Sequence, residues 1–172
     1  MDELSMPNTA KLLFFIVVFL FTPPIHADFY SKDSVDDVLG EKRTKRYTKD
    51  VNGNSLRLGV LCKEVSSNLK ILGITFDSDN YIAQAREMVR LNIKVDDGIA
   101  YPLYGYMGTL GFTDRNSTNN GWAERPSEQL LNELRTGKAV RLTVYNDSFK
   151  IEGQFSLSGA KSAIDDVVAA CD

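Results

Sequence analysis

Met88-Val89-Arg90-Leu91-Asn92-Ile93-Lys94-Val95 is the stretch on which the fold turns. Val89, Leu91, Ile93 and Val95 alternate with Arg90, Asn92 and Lys94, the period of a strand with one face in a core and the other in water. Asp96-Asp97-Gly98 follows at once, and Asp and Gly tolerate the positive φ that tight hairpin turns demand. A returning strand over 99–106 is expected, and the domain reads as mainly β.

Toward the N-terminus the same period recurs. Leu56, Leu58, Val60 and Cys62 alternate with Arg57, Gly59 and Leu61, and after a turn at 66–68 a second run occupies 69–76, which makes two antiparallel strands. Toward the C-terminus, 107–125 is rich in Gly, Asn, Thr and Ser and reads as a long loop around 115–121 with a short strand at 110–113. Ser127 caps a helix carrying Leu130, Leu131 and Leu134, and Gly137 stops it. A hairpin over 139–145 and 149–157 turns at Asn146-Asp147-Ser148. The last segment, with Ser158 as N-cap, sets Ala160, Ala163, Ile164, Val167, Val168 and Cys171 on one helical face. The expected architecture is an antiparallel β-sandwich or open barrel with one inserted helix and a C-terminal helix.

Residues 12–21 are an unbroken apolar run after Lys11, closed by Thr22-Pro23-Pro24. At about half the ~20 residues that a spanning helix needs, the run reads as the core of a signal peptide cleaved near Ala27, from a start at Met1 or Met6. The expected organisation is thus a signal peptide over 1–27, a polar, loosely held arm over 28–49 that ends in a strand near Tyr47, and a single domain over 50–172. Localisation would be periplasmic or secreted, with membrane contact only through the signal segment.

Cleavage would remove Asp2, Glu3 and Lys11 and leave 19 basic and 21 acidic side chains. That balance gives no electrostatic reason to expect nucleic acid. The run at 41–46, Glu-Lys-Arg-Thr-Lys-Arg, reads as a solvated surface. Cleavage would also remove His26, the one histidine in the chain. The mature domain then has no Ser-His-Asp triad, no Cys-His pair and no His-ligated metal, and no cofactor or metal is expected.

Cys62 and Cys171 are the only cysteines, and an even count in an exported chain reads as a disulfide, against the alternatives of two free thiols or an intermolecular bridge. Asp96 and Asp97 are adjacent carboxylates. Neighbours on a strand turn point apart, so a turn role outweighs acid–base catalysis or a weak cation site. Tyr101, Tyr104 and Tyr106, with Trp122 and Arg125 beyond them, are of the types that anchor interfaces and form the candidate binding set.

Leu61-Cys62, the strand and acidic turn over 90–97, and the ending Phe155-Ser156-Leu157-Ser158-Gly159 through Ala163 to Cys171 resemble the VasI-type periplasmic accessory proteins of type VI secretion clusters. More distantly they resemble the invasion-associated locus B family. The resemblance implies a small secreted β-sandwich with a disulfide-tethered helix and an accessory or binding role instead of catalysis. The chain is accordingly expected to be an exported, non-catalytic module binding an envelope or secreted protein, and to serve a secretion apparatus. The alternative is a secreted inhibitor or immunity protein that blocks an enzyme with its Gly/Asn loop.

Overall fold

The computed structural model describes residues 29–35, 42–66, 68–108, 118–124 and 126–172. The segment expected to be a signal peptide, the strand expected at 110–113 and Arg125 lie outside the described residues. Nine strands form one antiparallel sheet: β1 (Tyr30–Val35), β2 (Lys42–Lys49), β3 (Arg57–Ser66), β4 (Leu69–Asp77), β5 (Met88–Val95), β6 (Ala100–Met107), β7 (Asn120–Glu124), β8 (Ala139–Tyr145) and β9 (Lys150–Ser156). Helix α1 (Glu128–Thr136) lies between β7 and β8, and α2 (Ala160–Cys171) closes the sequence.

The strand order is β1-β2-β3-β4-β7-β6-β5-β8-β9. The sheet curls into a half-barrel, and its far strand comes back to the start of the domain. There Asp50 bridges Phe155, the Val51 N–H donates to the Gln154 carbonyl at 2.8 Å, and the Gln154 N–H donates to the Asp50 carboxylate at 3.0 Å. Of the two expected architectures the open barrel is the one found, and the sheet is continuous where a sandwich would have two. The reason is β7, which pairs with β4 on one side and β6 on the other and so joins the early strands to the late ones. Close approach at that seam requires glycine, because a Cβ on Gly105 would sit 2.2 Å from the Trp122 carbonyl oxygen.

One face of the sheet carries the core. Val89, Leu91, Ile93 and Val95 are all buried, as their alternation predicts, and they join Leu58, Val60, Ile74, Phe76, Leu142 and Phe155 in one cluster. Helix α1 adds Leu130, Leu131 and Leu134, and α2 adds Ala160, Ile164 and Val167. Ser127 caps α1 by accepting the Leu130 N–H at 3.2 Å. Helix α2 begins differently from expectation: its N-cap is Gly159 at φ +79°, with no side-chain cap, and Ser158 lies one residue outside. Cys62 on β3 and Cys171 at the end of α2 form a disulfide with their Cα atoms 5.5 Å apart, which fastens the helix layer to the sheet.

The strand expected near Tyr47 is β2, and β1, in the part of the arm expected to be loosely held, is also built into the sheet. β2 pairs with β3 from Arg43↔Lys63 to Lys49↔Arg57, and β1 pairs with β2 along its whole length. Backbone hydrogen bonds place these strands, whose side chains are almost all polar, so hydropathy carries no trace of them.

Candidate functional site, a basic cleft with aromatic walls

The face opposite the helices carries a second pattern. Reading cross-strand partners from β2 to β6 gives a row Tyr47, Gly59, Thr75, Trp122, Tyr106. Tyr30 extends it at one end, stacked on Tyr47 with ring centroids 5.3 Å apart, and Met88 extends it at the other. The two small residues in the middle leave a floor between aromatic walls. Tyr47 and Trp122 stand on strands three positions apart, about 14 Å at the usual strand spacing. The result is a cleft of about 360 Å³, within the range of small-molecule sites.

Charge collects there. Lys32, Arg43, Lys45 and Arg57 line the cleft, and Asp77 is the one carboxylate among its described lining residues. Lys45 on β2 reaches diagonally across β3 at Gly59, and its Nζ donates to Asp77 Oδ2 at 2.6 Å. A Cβ on Gly59 would lie 2.9 Å from Thr75 Oγ1, so only glycine leaves that floor open. Arg57 donates from Nε to Asp77 and from Nη2 to Asp79 at 2.7 Å. Burial alone would raise the pKa of Asp77. The charge and hydrogen bond of Lys45, with those of Arg57, outweigh it and hold the carboxyl below its ordinary value.

Two polar atoms in the lining are buried and have no hydrogen-bond partner among the described residues: Thr75 Oγ1 and Asn120 Oδ1. Thr75 is only 7% exposed. Buried polar atoms are nearly always satisfied by protein or water, so an unsatisfied pair in the wall of a cleft marks groups left to solvent or a ligand.

The expected binding set divides. Tyr104 and Tyr106 are 66% and 48% exposed on this face, and the Tyr106 ring meets Trp122 at a centroid distance of 6.2 Å. Tyr101 belongs to the opposite face, since odd and even positions of β6 point apart. Its hydroxyl donates to Glu133 of α1. Desolvation and that carboxylate push its pKa up to about 12, so Tyr101 is a packing residue that ties β6 to the helix. Asp96, at φ +46°, accepts the backbone N–H groups of Lys138 and Ala139 at 3.1 and 2.9 Å, which fastens the β5–β6 turn to the start of β8. Asp97 is exposed beside it.

Arg43, Lys45, Arg57 and Thr75 are functional candidates that the sequence reading passed over. A basic run with one tyrosine has no apolar period, and only its pairing with β3 turns alternate cations toward one face. The loop expected around 115–121 ends before Asn120, because Asn120 and Gly121 are strand residues in β7. Among the described residues no group of three His, Cys, Asp or Glu side chains is placed to hold a metal ion, and no helix is long and apolar enough to cross a membrane. No protein-family model, no curated protein and no solved structure matches this chain, so the cleft is read from its own residues.

Proposed function

We propose that the protein is an exported, non-catalytic binding module that recognises an envelope component through the sheet face opposite its helices. The observation that carries this reading is the cleft. Cations, aromatic rings and unsatisfied polar atoms converge there, while the exposed Tyr104 and Tyr106 extend the same surface outward. Large aromatic area beside positive charge is the composition of recognition surfaces. Export is supported by the apolar run at 12–21 and by a disulfide that an oxidising compartment would maintain. A periplasmic accessory role of the VasI type, serving a secretion apparatus, is the biological setting most consistent with these features.

Site-directed photocrosslinking tests the reading. With a photoreactive phenylalanine analogue at Tyr106, irradiation of cells expressing the full chain is expected to give a discrete adduct with an envelope component. The same analogue at Lys161, exposed on the outer side of α2, should give none. Equal labelling from both positions would show that the sheet face is not the recognition surface.

A further inference from the structure

We infer that the cleft takes an acidic saccharide, a hydroxyl-bearing sugar ring with a carboxylate or phosphate substituent. The inference rests on the binding reading above and names the ligand class of that surface.

Three features of the lining converge on this chemistry. Among the described lining residues Asp77 shows how a carboxylate seats between Lys45 and Arg57, and Lys32 adds positive charge on the rim beyond that pair. An anion is therefore the charge that the cleft complements. An inorganic anion without a hydroxyl would not complete the site, because Asn120 Oδ1 is an acceptor and needs a donor from the ligand. Sugar hydroxyls donate and accept, and so can satisfy Asn120 Oδ1 and Thr75 Oγ1 together. The aromatic walls supply the remaining contact, since Tyr47 and Trp122 flank a floor of Gly59 and Thr75 wide enough for a ring.

Trp122 is the only tryptophan in the chain, so its fluorescence reports on this cleft without interference. The purified, disulfide-bonded full chain is titrated at low salt with digalacturonate, glucose 6-phosphate, neutral galactose and inorganic phosphate. Saturable shifts in Trp122 emission are expected with one or both acidic sugars, and whichever binds identifies the anionic substituent. Neutral galactose, which lacks the charge-assisted hydrogen bond, and phosphate, which lacks the ring contact with the aromatic walls, should each bind at least about tenfold more weakly. Thr75→Val removes the unsatisfied hydroxyl at nearly constant volume, and Lys32→Gln removes an exposed cation of the rim. Each is expected to weaken acidic-sugar binding roughly three- to tenfold. Lys32→Gln decides the matter if Thr75→Val fails to fold.

Equal binding of neutral galactose, equal binding of phosphate alone, or indifference of the affinity to Lys32→Gln would overturn the inference. So would a Trp122 emission unmoved by either acidic sugar. In that last case persistence of the Tyr106 adducts would leave the binding surface standing and remove only its ligand class, whereas their loss would remove both.

Discussion

Asp77 is the residue on which the cleft's electrostatics turn, since it holds Lys45 and Arg57 toward one another across β3. A carboxyl whose pKa is lower in the folded chain than in the unfolded one stabilises the fold fully above the unfolded value of about 3.9. That contribution is lost as pH falls through the folded value. Asp77→Asn is expected to cost on the order of 1 kcal/mol at neutral pH, because partly exposed pairs are screened by solvent. The gap from wild type should narrow at pH values below about 4. Urea unfolding of both proteins at pH 7 and pH 3 measures it, and a gap of the same size at both would mean that Asp77 acts through packing instead of charge. At this scale the sequence was partly legible. Trp122 and the exposed Tyr104 and Tyr106 stood out by type, and strict alternation already separates them from Tyr101, an odd position among even ones. Arg43 and Lys45 could not be found that way, because nothing in a string of cations says which strand will pair with it.

Elements with a strong apolar period were readable, and those without one were not. β5 and the Leu-rich face of α1 emerge in the structure with the burial that their spacing requires. β7 was hidden because its core-facing residues are Gly121 and Ala123, too small to register as a hydrophobic face. They are small for a reason: a Cβ on Gly121 would lie 2.2 Å from Cζ of Phe76. With β7 unseen, the early and late strands had nothing to join them, which is why sandwich and barrel could not be told apart. The seam itself is testable. Gly105→Val would drive its Cβ into the Trp122 carbonyl and force β6 from β7, at a cost of about 3 kcal/mol by the scale of overpacked sites. Denaturant unfolding should show that loss, and hydrogen exchange should show it concentrated in 105–107 and 121–123. Uniform loss of protection across all nine strands would mean that β7 is not the separable joint described here.

The whole molecule is two layers fastened from behind. Cys62 faces the helices while its neighbour Leu61 lines the cleft, so the disulfide and the candidate site lie on opposite sides of β3. The sequence made the bridge legible through two cysteines and the helical spacing that carries Cys171 to the core side; it could not reveal that the cleft lies beyond it. The bridge joins residues 109 apart, and closing a loop of that length removes about 4–5 kcal/mol of chain entropy from the unfolded state. The double variant Cys62→Ser, Cys171→Ser is therefore expected to lose stability on that scale in urea. Val167, Ile164 and Ala163 still bury the inward face of α2, and the strand pairing around Thr75 and Trp122 does not pass through either cysteine. Native Trp122 emission and acidic-sugar affinity should therefore stay within about twofold of wild type at low denaturant, where the folded state still dominates. A variant that keeps its emission but loses its ligand would instead place α2 in control of the cleft, with the disulfide acting on recognition as well as on stability.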